Sequence, residues 1–210
     1  MITDNLYLIS AICGNFWQES TINPGIWENL TVGAPGYGLG QWTDNYETTR
    51  RTALFNWLDA NGYDRDSGEG QLQFLIYENV WNKYGGGVES DFNTLEQFLN
   101  SGSTNIDYLT LEFMHHWEGI EDGTGQTRIQ FAYEVYDYLI NDDGVRFPWY
   151  SSNSYNETYK ALDNSLLIMD FFLEESPTPP TPPEPPTDEE IFIILFRRKI
   201  KEKKQIFILH

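Results

Sequence analysis

The chain has 210 residues, enough for one medium domain with its own core and a tail. Its formal net charge is −19, with −21 in residues 1–187 and +2 in residues 188–210. An acidic body of this kind repels phosphate backbones at long range, which argues against nucleic acid as a partner. A lone cysteine, Cys13, allows no internal disulfide.

Thr3 or Asp4 is placed to cap a helix running to about Glu19. Leu6, Ile9, Cys13 and Phe16 share one face of it, with Ile12 beside them. At that spacing Cys13 reads as a small buried hydrophobe. Met1-Ile-Thr-Asp4 lacks the basic stretch of a secretory signal, so no signal peptide is expected. Asn23-Pro24-Gly25 stops the helix. Residues 26–46 read as a loop with a short hairpin, broken by Gly33, Gly36, Gly38 and Gly40.

Helices are predicted over 47–61, ended by Asn61-Gly62, and over 71–84, closed by Gly85-Gly86-Gly87. A short helix is predicted at Leu95–Leu99, and longer ones at Tyr108–Trp117 and Thr127–Leu139. Residues 141–158 are polar and irregular, and Lys160–Glu174 is the last predicted helix.

This divides the chain into a domain at 1–175, a linker at 176–187 and a tail at 188–210. Pro177–Pro186 is proline-rich and forms an extended spacer. In the tail, the apolar run Ile191–Phe196 is far short of the about 20 residues a bilayer span requires. A basic run, Arg197–Lys204, follows it. Such a tail suits an anionic membrane surface, a further domain or a disordered end, and membrane contact is the less favoured of these.

The chemistry concentrates in residues 17–43. Glu19 ends the apolar stripe of the first helix. Desolvation and the negative end of the helix dipole both disfavour its charged form there. Such a carboxyl suits the general acid that protonates a glycosidic oxygen. The chain also holds 7 Trp, 13 Tyr and 13 Phe, and aromatic rings can both fill a core and stack on pyranose faces. No metal site is expected: the side chains of His115 and His116 diverge on a helix, and the Asp59–Gly70 loop fails calcium-loop spacing. No cofactor motif stands out.

Glu19-Ser20, Asn23-Pro24 and Gly36-Tyr-Gly-Leu-Gly-Gln41 together resemble the signature of the lysozyme and lytic-transglycosylase superfamily. More closely, Gly14–Gly25 and Gly36–Thr43 resemble the phage tail lysozyme family. Weaker matches follow at Gln71–Leu75, Phe113 to Trp117-Glu118, and Arg128 with Ala132 and Tyr133. The resemblance spans about residues 4–140. It implies a mainly α, lysozyme-like domain whose small loop or hairpin region lines a cleft. Peptidoglycan glycan strands are the implied substrate, other phage tail proteins are partners, and the virion tail or host cell wall is the location.

Carried over by position, Glu19 matches the catalytic acid and Gln41 the cleft-facing polar residue. Tyr37 and Trp42 flank Gln41 and are candidate stacking platforms, or else pack beneath the loop. A second carboxylate is expected if the reaction is hydrolysis. Asp44 is the best-placed candidate, with Glu28 and Asp122 as others. With one acid alone, the substrate's own hydroxyl can attack and give an anhydro product. A non-catalytic glycan-binding module of a tail or conjugation apparatus is the alternative from another class. Glu118 is expected to pair with Arg128.

Overall fold

The computed structural model describes residues 3–140 and 157–173, with side chains in the second stretch from residue 164. The linker and tail expected at 176–187 and 188–210 lie outside the described residues. The described chain is mainly helical, with α1 (Leu6–Ser20), α2 (Arg50–Asn61), α3 (Gly68–Glu78), α4 (Leu95–Leu99), α5 (Ile106–Phe113), α6 (Gly125–Ile140) and α7 (Glu157–Leu173). A two-stranded antiparallel hairpin, β1 (Gly36–Tyr37) and β2 (Trp42–Thr43), pairs Gly36 with Thr43 and Tyr37 with Trp42.

The central element is α1, which packs against α5, α6 and α7. Its Leu8, Ile9, Ile12, Cys13 and Phe16 have no exposed surface. Burying a side chain of that size contributes about 1.5–3 kcal/mol relative to exposure. Gly14 sets how closely α6 approaches: a Cβ there would meet the Arg128 carbonyl oxygen and, at 2.8 Å, the Ala132 methyl. Burial pushes the Cys13 thiol up to about 12, so it remains an unreactive hydrophobe.

Element boundaries differ from the sequence reading where capping chemistry decides them. Asn5, not Thr3 or Asp4, caps α1, its side chain accepting from the Tyr7 and Leu8 amides. At the other end Thr21 and Ile22 both take left-handed backbone, at φ of 51° and 52°. Ile22 is fully buried there, and its carbonyl accepts from the Asn164 side chain of α7.

Capped by Ser67, α3 starts three residues ahead of the predicted 71, and Asn79 in left-handed backbone ends it at Glu78 rather than 84. The freed segment turns Trp81 onto Phe98, ring centroids 4.9 Å apart. The helix predicted at Tyr108–Trp117 is α5 followed by a π-helical turn over Met114–Glu118. Of the residues predicted irregular at 141–158, residues 157 and 158 begin α7, and the others lie outside the described residues.

Candidate active site

The end of α1, the loop after it, the hairpin, the start of α2 and the π-helical turn enclose a cleft of about 610 Å³. Glu19, Trp27, Glu28, Gln41, Arg50 and Glu118 line it. A second cavity of the same size lies between the start of α1, the 99–104 loop and Tyr136, where Asp4 supplies the sole lining carboxylate among the described residues. Convergent acids distinguish the first cleft as the candidate site.

Glu19 projects from the last turn of α1 with its side chain 20% exposed. Arg128 of α6, with no exposed surface, holds it: Nη2 donates to Glu19 Oε1 at 2.6 Å. The same guanidinium donates through Nη1 to Asn15 Oδ1 at 3.0 Å and through Nε to Thr124 Oγ1 at 2.9 Å. Asn15 is itself fixed by donating to the Ala11 and Thr110 carbonyls. Thus α1, α5 and α6 together determine where Glu19 points.

The π-helical turn brings Glu118 to the same place, its side chain 5% exposed. A π turn widens the helix and re-aims the side chains that follow it. Arg128 Nη1 stands 3.5 Å from Glu118 Oε1, which is the pairing expected from sequence. Desolvation, then the Glu19 charge, push the Glu118 carboxyl well above the ordinary range; Arg128 and Arg50 oppose this. Arg50 is itself bidentate on Glu78, at 2.7 and 2.8 Å, and lies over the Trp117 ring.

The glycine-spaced segment forms the wall beside these acids. The buried Ser20 hydroxyl shares its proton between the Phe16 and Leu39 carbonyls, at 2.9 and 2.8 Å, tying the helix end to that segment. Buried Gln71 accepts from the Leu39 amide at 2.8 Å and donates to the Pro24 and Arg65 carbonyls, both at 2.7 Å. Gly40 passes directly over the Trp117 ring, where a Cβ would collide with Cη2. Gln41 reaches the cleft, its amide nitrogen donating to the Gly38 carbonyl at 3.0 Å.

Of the remaining sequence candidates, Trp42, Tyr37 and Asp44 lie outside the cleft lining. Trp42 has no exposed surface, stands edge-on to Trp117 and donates Nε1 to Glu78. Tyr37 is 5% exposed and meets Trp27 and Phe55 edge-on. Neither ring lines the cleft, because cross-strand partners on one face of the hairpin turn together into the core. The aromatic side chain that does line it is Trp27, and strand alternation is the signal for the change: Gln41 and Thr43 face the cleft, and Trp42 between them does not.

Asp44 serves the N-terminus of α2. Its carboxylate accepts from the Thr52 amide at 3.0 Å, the Thr52 hydroxyl at 2.6 Å and Arg51 Nη2 at 3.0 Å. Desolvation raises its carboxyl, but those hydrogen bonds and the Arg51 charge outweigh this and leave it below the ordinary range. Glu28 lines the cleft while accepting the Gly36 amide at 3.0 Å. Asp122 lies 3.9 Å from Arg128 Nη2 and accepts from Thr124.

A family model described as phage tail lysozyme matches residues 6–139. Over 74 residues the chain is 46% identical to a protein of Bacillus phage B103 named morphogenesis protein 1. That match covers 33% of this chain and 19% of the phage protein, so the chain spans about a fifth of that relative's length.

Proposed function

The chain belongs to the phage tail lysozyme family, and from that premise we propose that it cuts the glycan strands of bacterial peptidoglycan, with Glu19 as the general acid. The observation that carries this reading is the position of Glu19: a partly exposed carboxyl on a cleft wall, held by a fully buried arginine and facing a polar, glycine-spaced segment. A general acid must be fixed within reach of the leaving oxygen, and such groups contribute about 10²–10⁴ to the rate. In this cleft Glu19 gives a proton to the glycosidic oxygen as the C1–O bond breaks, and Gln41 and Trp27 orient the sugars on either side.

Because the Asp44 oxygens are taken up at the start of α2, the cleft does not use that carboxylate to hold a water. With one oxygen of the cleft-lining Glu28 likewise engaged by the Gly36 amide, this favours, as a second reading, attack at C1 by a hydroxyl of the substrate itself, which needs one acid–base residue and leaves an anhydro sugar. The family and the phage relative support a tail-borne enzyme acting at the host wall beside other tail proteins.

Turbidity clearing of purified walls tests the assignment. Glu19→Gln is expected to lose at least about 100-fold in clearing rate with the fold intact. Clearing at the wild-type rate by that variant would overturn the reading. Mass spectrometry of the released muropeptides separates the two chemistries: reducing ends mark hydrolysis, anhydro ends the intramolecular route.

A further inference from the structure

The charges around Arg128 do not balance. One fully buried guanidinium lies within 4.0 Å of three carboxyls, Glu19 at 2.6 Å, Glu118 at 3.5 Å and Asp122 at 3.9 Å. Arg50, facing the same group from α2, is neutralised by its fork onto Glu78. The neighbouring histidines do not help: His115 Nδ1 lies against the Ile120 carbonyl and the Glu121 carboxylate, and His116 Nδ1 against the Asn82 carbonyl. Asp122 is 44% exposed and keeps its charge in contact with water, whereas Glu118 does not have that outlet. Burying an unpaired carboxylate costs far more than binding one proton.

Among the described residues Glu118 Oε1 has no hydrogen-bond partner: Arg128 Nη1, which donates to Asn15, stands 3.5 Å away. Glu19 and Glu118 meet at the two arms of one guanidinium, and two carboxyls so placed form a hydrogen bond only with a proton between them.

Resting on the glycosidase reading above, we propose that Glu118 and Glu19 hold a single proton between them, carried on Glu118 in the resting cleft and passed to Glu19 as the glycosidic oxygen is protonated. The raised Glu118 carboxyl accords with that resting state. The atoms balance over one turnover. Glu118 gives its proton to Glu19, Glu19 gives a proton to the leaving oxygen, and the C1–O bond breaks. The nucleophile, a water or a sugar hydroxyl, bonds to C1 and returns its proton to the pair. Glu118 is therefore a positioning and proton-storing residue that acts through Glu19.

The test is the pH profile of wall clearing by the full chain. Glu118→Gln keeps a neutral donor to Glu19 but cannot release a proton. Its clearing rate is expected to fall more than tenfold near neutral pH and to recover as the medium is acidified, with the alkaline limb shifted to lower pH. An unchanged profile, or a uniform loss at every pH, would overturn the proposal. A measurement on the unaltered chain keeps it testable if that variant does not fold. With the Glu δ-carbons labelled, carbon NMR at neutral pH is expected to show one buried carboxyl in its protonated position; all carboxyls charged would overturn it. A wild-type chain that clears no walls overturns the glycosidase reading, and the NMR arm then reads the shared proton on its own.

Discussion

Ser20 Oγ lies 2.8 Å from the Leu39 carbonyl oxygen, so the residue after the candidate acid is bonded to the segment that forms the facing wall. This gives the Glu-Ser pair a physical reason. Glu19 belongs to a helix and Gln41 to a hairpin, and two elements of different stiffness must keep one separation. The Ser20 hydroxyl, with Gln71 holding the Leu39 amide from the other side, provides the strut.

Ser20→Ala removes that strut and leaves a buried carbonyl without a donor. The expected cost is about 1–3 kcal/mol of stability. Clearing is expected to fall further than the stability loss explains, because the two walls are uncoupled. Thermal unfolding and wall clearing, measured on the same preparation, check both halves.

Asp44→Ala is expected to act on stability alone. Thr49, at the start of α2, makes no side-chain cap bond, and Asp44 replaces it by accepting the Thr52 amide. Loss of such a cap costs about 1 kcal/mol. The sign with pH follows from a carboxyl held below its ordinary value of 3.8: the stabilisation is present above that value and is lost as pH falls through the lower, folded-state value. Denaturant midpoints should therefore separate variant from wild type near neutral pH and converge in strong acid. Clearing by the variant is expected to match wild type under conditions where both are folded.

How much was legible in the sequence depended on how local each feature is. The apolar stripe of α1 and the glycine-spaced segment are contiguous in the chain, so the helix and Glu19 at its end could be read directly. Asp44 was misleading because it lies only three residues from Gln41, yet strand and turn carry it to the start of α2. Trp42 lies next to a cleft residue and for that reason faces away from the cleft. The nearness of Glu118 to Glu19 depends on a π turn, and no spacing rule reads such a turn from a run that looks like ordinary helix. The end of α3 was missed because Asn79, which supplies the left-handed cap, lies inside an apolar pattern that continues past it.

Arg128→Met makes the strongest prediction, since it removes the buried cation but keeps most of the volume. Glu19 and Glu118 then face each other without the guanidinium, and Asn15 loses its donor. Breaking a buried pair in this way costs about 3–5 kcal/mol near neutral pH. The sign with pH is the reverse of that for Asp44. Without Arg128 the folded state binds protons more readily than the unfolded chain, so the deficit shrinks as the medium is acidified. Arg128 also opposes the raised Glu118 carboxyl in the wild type, so its loss raises that carboxyl further and adds to the deficit as pH rises above the ordinary value of 4.5. Unfolding midpoints of Arg128→Met against wild type, taken across the acidic range, should draw together toward low pH. A constant gap would mean that Arg128 acts through packing rather than through the charges it holds.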